Sequence, residues 1–189
     1  VPITKVPVLN AANVLTVVRI VLVPVFVVLV IMSGMTDPGL RIAAAIAFGV
    51  ASFTDYVDGW VARRFNLVTS FGKVADPIAD KALTGTALIL LSAYGVLPWW
   101  VTLVILVREW GITLMRFYVL KWGVMAASRG GKLKTVLQIG AITWYLFPFP
   151  TPWSYAGPVL MFSALVVTVV TGVDYVIAAY RLRQAAGAQ

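Results

Sequence analysis

Apolar residues gather into six stretches, near 12–33, 39–63, 73–96, 98–121, 134–149 and 154–180, divided by short runs of polar residues, glycine or proline. A helix needs about 20 apolar residues to cross the hydrocarbon core. The pattern therefore predicts an all-α integral membrane protein with six transmembrane helices joined by short loops, in a single domain over residues 1–189. The first stretch closes on Ser33 and Gly34. The fourth opens after Pro98 on Trp99 and Trp100, and the sixth follows Pro148, Pro150, Pro152 and Trp153, as loop prolines and interfacial aromatics should. Residues 1 to about 12, with Pro2 and Pro7, predict a short N-terminal interfacial helix. The run from Val14 to Met32 is longer than a signal-peptide core and is interrupted by Arg19, so it reads as a retained span. A chain that starts at Val1 rather than Met reads as processed or trimmed.

The basic residues orient these spans. Lys5 precedes the first, Arg63, Arg64 and Lys73 lie between the second and third, and Lys121, Arg129, Lys132 and Lys134 lie between the fourth and fifth. Arg181 and Arg183 follow the sixth, and the three remaining loops hold only Arg41. By the positive-inside rule both termini and the two basic loops are cytoplasmic. The net charge of +8 then belongs beside anionic headgroups rather than on nucleic acid, because 61% of the chain is hydrophobic and only 12% charged. With no cysteine and no histidine, disulfides, thiolate nucleophiles, imidazole bases and the usual zinc sites are excluded. Acid–base or metal chemistry must rest on carboxylates.

Four of the seven acidic residues fall between positions 55 and 80, in otherwise apolar helical segments. An ionised Asp in a membrane helix costs roughly 2.5 to 3.5 kcal/mol, so four represent about 10 kcal/mol to be offset. Asp55 and Asp58 are three apart near the end of the second span, and Asp76 and Asp80 four apart at the start of the third. Either spacing puts a pair on one helix face, and the short connection lets the two pairs converge at the cytoplasmic side. Oxygen ligands without nitrogen or sulfur favour magnesium, manganese or calcium. The competing account is an interfacial salt-bridge network with Arg63, Arg64, Lys73 and Lys81.

The stretch 55–80 reads D-Y-V-D-G-W-V-A-R-R-F-N-L-V-T-S-F-G-K-V-A-D-P-I-A-D. It resembles the signature of the CDP-alcohol phosphotransferases, D-x2-D-G-x2-A-R-x8-G-x3-D-x3-D, at all eight fixed positions over 26 residues. The resemblance implies that Asp55, Asp58 and Asp76 bind two divalent ions, Mg2+ or Mn2+, on the pyrophosphate of a CDP-lipid. Asp80 would sit near the second ion as general base. It also implies that Gly59, Ala62, Arg63 and Gly72 line the nucleotide site, and that the enzyme is a homodimer. Two metals can clamp the oxygens of an in-line displacement, and with no histidine present a carboxylate must take the proton of the attacking hydroxyl. Taken singly, Gly59 and Gly72 read equally as sites of close helix packing.

The second half carries Arg108 and Glu109 inside the fourth span, Arg116 about two turns on, then Lys132 and Lys134. Arg108 and Arg116 share a face, and a buried basic face suits an anionic acceptor while repelling a choline-like cation. The strings N-V-L-T-V-V-R at 13–19, R-E-W-G-I-T-L-M-R at 108–116 and G-K-L-K-T-V-L-Q at 131–138 look like the phosphatidylglycerophosphate synthase branch of the family. Trp110 and Gly111 stand where that branch has aliphatic residues. The resemblance implies that Arg108, Arg116, Lys132 and Lys134 hold the phosphate of glycerol 3-phosphate. Asn13, Thr16 and Arg19 would line the nucleotide or lipid diphosphate. Lys132 and Lys134 read equally as juxtamembrane charges, and Arg108 has Glu109 beside it to pair with.

The function expected is metal-dependent phosphatidyl transfer from CDP-diacylglycerol to glycerol 3-phosphate, giving phosphatidylglycerophosphate and CMP. The site would face the cytoplasm from a bacterial inner membrane. Inositol phosphate is the alternative acceptor, and a divalent-cation or anion transporter the alternative of another class. Asp37 reads as a loop residue, Asp174 as the partner of an interfacial group, and the aromatics of the last two spans as packing and interface anchors.

Overall fold

A computed structural model describes residues 11–64, 70–119 and 129–187. They form six α-helices: α1 Ala11–Ser33, α2 Pro38–Arg64, α3 Ser70–Ala93, α4 Trp99–Val119, α5 Arg129–Leu146 and α6 Ala156–Gly187, with a 3-10 turn, Trp153–Tyr155, leading into α6. The six apolar stretches thus become six helices, α5 starting five residues before the expected 134 and α6 running seven past the expected 180. The interfacial helix expected at the amino end lies largely outside the described residues.

Local chemistry sets the boundaries. α1 ends where Gly34 and Met35 take positive φ values of 51° and 56°, a backbone conformation that stops a helix. Ser33 Oγ, bonded to the Val30 carbonyl at 2.7 Å, also accepts the amide of Met35. Asp37 caps α2, its Oδ1 accepting the Leu40 amide at 2.9 Å, with Pro38 at the first helical position. The residue read as an ordinary loop acid is therefore a helix cap.

Among the described residues, Val14–Ser33, Pro38–Val57 and Trp153–Gln184 are long and apolar enough to cross a membrane. α3, α4 and α5 have comparable lengths of 24, 21 and 18 residues. Their polarity comes from the residues of interest: Lys73, Asp76, Asp80 and Lys81 in α3, Arg108, Glu109 and Arg116 in α4, and Arg129, Lys132 and Lys134 in α5. Large apolar side chains such as Val21, Val28, Ile31 and Met32 of α1 and Val159, Phe162 and Val170 of α6 lie exposed. In an integral membrane protein these faces meet lipid tails rather than water.

The chain divides into two compact units, residues 1–94 with 146–148, and residues 95–145 with 149–189. In the first, α1 packs on α2 and α3. Phe26, Val30, Phe48, Leu83, Leu88 and Leu91 are almost wholly buried there, and the rings of Phe26 and Phe48 meet at 5.6 Å. Ala44, Ala45, Ala51 and Ala87 lie among them, small residues that let helices approach closely without a hydrophobic driving force. Arg41, the one basic residue of the loops expected outside the cytoplasm, donates to the carbonyls of Leu146 at 3.1 Å and Phe147 at 3.4 Å, where a cation complements the end of α5. In the second unit α4 packs on α6, and Ile105, Ile142, Met161 and Ala164 are buried.

Candidate active site

In the first unit, Thr16 and Arg19 lie one turn apart on α1, and both are buried. A buried guanidinium requires a counter-charge, and Arg19 finds one on α2, its Nη1 standing 2.6 Å from Oδ1 of Asp55. The Arg19 side chain is 0% exposed and that of Asp55 38%. The carboxylate is thus held from behind by α1 while part of it stays open. Asp80 is half-buried on α3, and the next turn is tied to it by Thr84 Oγ1, which donates to the Asp80 carbonyl at 2.9 Å.

Asp58, Gly59, Ala62 and Arg63 continue α2, and Gly72 and Asp76 fall in the first turns of α3. Their side-chain surroundings, and those of Asn13 on α1, lie outside the described residues. Asp55 and Asp58 lie in the last turns of α2 and Asp76 and Asp80 in the first turns of α3, within one compact unit. The four expected donors are all carboxylates, and the Asp55 side chain is held by Arg19 while remaining partly exposed. Both properties fit a hard divalent cation rather than a soft one.

The second unit gathers a different chemistry. Arg108 of α4 donates from Nε to the Thr168 carbonyl at 3.1 Å and from Nη2 to Thr171 Oγ1 at 2.8 Å, while its Nη1 meets Glu109 Oε1 at 3.1 Å. The same Glu109 oxygen pairs with Lys134 Nζ from α5. These three side chains are 12%, 17% and 9% exposed, so the cluster is largely shielded. Arg116 donates from Nη2 to the Tyr175 hydroxyl at 2.6 Å, and its Cζ lies 4.6 Å from the centre of that ring. The Cζ of Arg108 lies 5.8 Å from the same centre.

Three of the four basic residues expected at the acceptor phosphate, Arg108, Arg116 and Lys134, therefore join one connected cluster. Lys132 does not share it. Two positions before Lys134, it falls on another side of α5 and is exposed.

From sequence, the face of α6 that supports this cluster is read only for its aromatic, Tyr175, as a packing or interface anchor. Thr168, Thr171, Gly172 and Tyr175 stand at i, i+3, i+4 and i+7, one helical stripe, and all four are buried. A Cβ on Gly172 would approach Arg108 Cγ to 3.3 Å and Nε to 3.4 Å, so the missing side chain makes room for the arginine. The signal was the string T-x2-T-G-x2-Y at 168–175, a polar stripe with helical period inside an apolar span.

A family model described as CDP-alcohol phosphatidyltransferase matches residues 9–170, across both units. A probable phosphatidylglycerophosphate synthase of Mycobacterium tuberculosis is 48% identical over 172 residues, covering 91% of this chain and 82% of that one. Two proteins named CDP-diacylglycerol--glycerol-3-phosphate 3-phosphatidyltransferase are also similar. That of Bacillus subtilis is 37% identical over 179 residues, 88% of this chain and 93% of its own. That of Escherichia coli K12 is 38% identical over 177 residues, 90% and 94%.

Proposed function

The chain belongs to the CDP-alcohol phosphatidyltransferase family, and on that premise we propose that it transfers the phosphatidyl group of CDP-diacylglycerol to glycerol 3-phosphate, releasing phosphatidylglycerophosphate and CMP. Enzymatic phosphotransfer follows from the family and sets aside the transporter reading of the aspartates. The acceptor is our inference. The observation that carries it is the cluster of Arg108, Arg116 and Lys134, three cations arranged for an acidic acceptor. The names of the relatives agree with it.

Asp55, Asp58, Asp76 and Asp80 would hold two Mg2+ or Mn2+ ions, which when bound neutralise the pyrophosphate and the departing CMP. Arg19 fixes the direction of Asp55. Thr16 and Arg19, with Asn13, Gly59, Ala62, Arg63 and Gly72, belong to the side that takes the nucleotide and lipid diphosphate, the small residues allowing close approach. Arg108, Arg116 and Lys134, with Lys132 at the margin, take the acceptor phosphate. The free primary hydroxyl of glycerol 3-phosphate then attacks the phosphatidyl phosphorus. A new phosphorus–oxygen bond forms as the bond to CMP breaks, and the hydroxyl proton passes to the Asp80 carboxylate.

The same reading treats the molecule as one functional domain, consistent with a family match spanning both units. Six spans, cytoplasmic termini and a site facing the cytoplasm of a bacterial inner membrane agree with six helices and with the distribution of Lys and Arg.

The experiment is CMP release from CDP-diacylglycerol by the purified chain, with Mg2+ or Mn2+ and with glycerol 3-phosphate or inositol phosphate as acceptor. Release is expected to require metal and glycerol 3-phosphate and to be lost in Asp80→Asn. Release with inositol phosphate alone would leave the chemistry standing and overturn the choice of acceptor.

A further inference from the structure

Two guanidinium groups meant for one phosphate repel each other and ride on long, flexible stems. Something must fix their separation before the ligand arrives. Sharing a face of α4 does not suffice, because each stem has several rotamers.

In this structure one side chain of α6 touches both. The Tyr175 ring centre is 5.8 Å from Cζ of Arg108 and 4.6 Å from Cζ of Arg116, and its hydroxyl accepts from Arg116 Nη2 at 2.6 Å. The ring offers its negative face to both cations and so limits how far apart they stand, while the hydroxyl fixes which edge of Arg116 is committed. Thr168 and Thr171 hold Arg108 on the same stripe of α6. Tyr175 is only 5% exposed, which suits it to setting the positions of the arginines rather than to contacting substrate.

We propose that Tyr175 is a positioning residue for the acceptor phosphate, setting the separation and orientation of Arg108 and Arg116. This deepens the reading above and rests on it, since it takes these arginines to be the phosphate-binding groups. Tyr175 acts through them and contributes nothing to the CDP-lipid side.

The test is steady-state CMP release by the full chain in detergent micelles, varying glycerol 3-phosphate at saturating CDP-diacylglycerol and then the reverse. Tyr175→Phe keeps the ring and removes one hydrogen bond to a charged group. It is expected to raise KM for glycerol 3-phosphate roughly fivefold to tenfold, with kcat, KM for CDP-diacylglycerol and Tm little changed. Tyr175→Leu, which removes the ring as well, is expected to raise that KM further, and if it fails to fold the Phe variant decides alone. In an Arg116→Gln background, Tyr175→Phe should have no further effect. A fall in kcat, an equal rise in both KM values, or effects additive with Arg116→Gln would overturn the proposal. If Arg108→Gln and Arg116→Gln raise KM for glycerol 3-phosphate while Tyr175→Phe does not, this inference falls and the acceptor assignment stands. If the arginine variants leave that KM unchanged, the assignment fails and the inference with it.

Discussion

Glu109 lies between two cations assigned to the acceptor phosphate, and replacing it with Gln isolates its charge. The amide keeps the shape and the acceptor oxygen while the negative charge is lost. At an effective dielectric of about 20, a unit pair separated as Arg108 and Glu109 are, by 3.1 Å, attracts by about 5 kcal/mol before desolvation. Lys134 adds a second such contact on the same oxygen. Removing one partner of a shielded ion pair typically costs about 3–5 kcal/mol, because the remaining charge is left uncompensated. Here Arg108 retains the Thr168 carbonyl and Thr171 Oγ1, which lowers the expected loss to about 2–3 kcal/mol. For a chain of this length that is a fall in Tm of roughly 5–10 °C in phosphate-free buffer. Inorganic phosphate should then act as a substitute counter-ion. In the native protein it competes with Glu109, whereas in Glu109→Gln it meets cations lacking their carboxylate, so it binds more tightly and restores more of the Tm. The assay is thermal unfolding in detergent across a phosphate titration, with chloride at matched ionic strength as the control. A variant whose Tm stays within about 1 °C of the native value, or equal phosphate-induced gains in both proteins, would refute the reasoning.

Three further outcomes follow from the same geometry. Gly172→Ala places a Cβ 3.3 Å from Arg108 Cγ; with helix propensity offsetting the crowding, it is expected to change stability by no more than about 1 kcal/mol while raising KM for glycerol 3-phosphate severalfold, as read by thermal unfolding beside the CMP-release assay. Lys134→Ala should raise that KM at least tenfold, the weight of about 1.4 kcal/mol at one charged contact, whereas Lys132→Ala should change it less than twofold. Equal effects of the two lysine variants would contradict the separation of these residues on α5. Arg41→Met removes the cation from the Leu146 and Phe147 carbonyls and should lower stability by about 1–2 kcal/mol with both KM values intact, measured by thermal unfolding beside the kinetic assay.

Much of this was legible in the sequence because its signals were periodic or charged. The six apolar runs became six helices, and three of the four basic residues singled out, Arg108, Arg116 and Lys134, lie together, because charge inside an apolar helix is conspicuous wherever the chain goes. Tyr175 read only as a packing or interface aromatic, and Thr171 and Gly172 drew no reading, because hydroxyls, aromatics and glycine are ordinary in membrane helices, and only the approach of another helix gives them a task. Arg19 was expected beside the diphosphate from its place in an amino-terminal string. Its reach to Asp55 is a contact between α1 and α2 that no spacing within one helix could reveal. Lys132 and Lys134 looked equivalent because a basic loop carries no phase. The helix supplies the phase, and it buries one while exposing the other.

The cost of charge in the membrane first pointed to metal ions as compensation, and the described residues show a second source of it. Arg19 meets Asp55, and Glu109 meets both Arg108 and Lys134, so in each unit charges of opposite sign offset one another within the protein itself. A buried pair of this kind adds little net stability, since desolvation consumes most of the attraction. Its consequence is for binding. A phosphate entering the second unit gains less than three bare cations would give it, because it must share Arg108 and Lys134 with Glu109, and affinity is exchanged for a cluster that keeps its shape when empty. On the proposed reading the acceptor's phosphate stays in the lipid product, so over-tight binding would slow release, and a carboxylate placed to reclaim Arg108 and Lys134 would ease the product's departure.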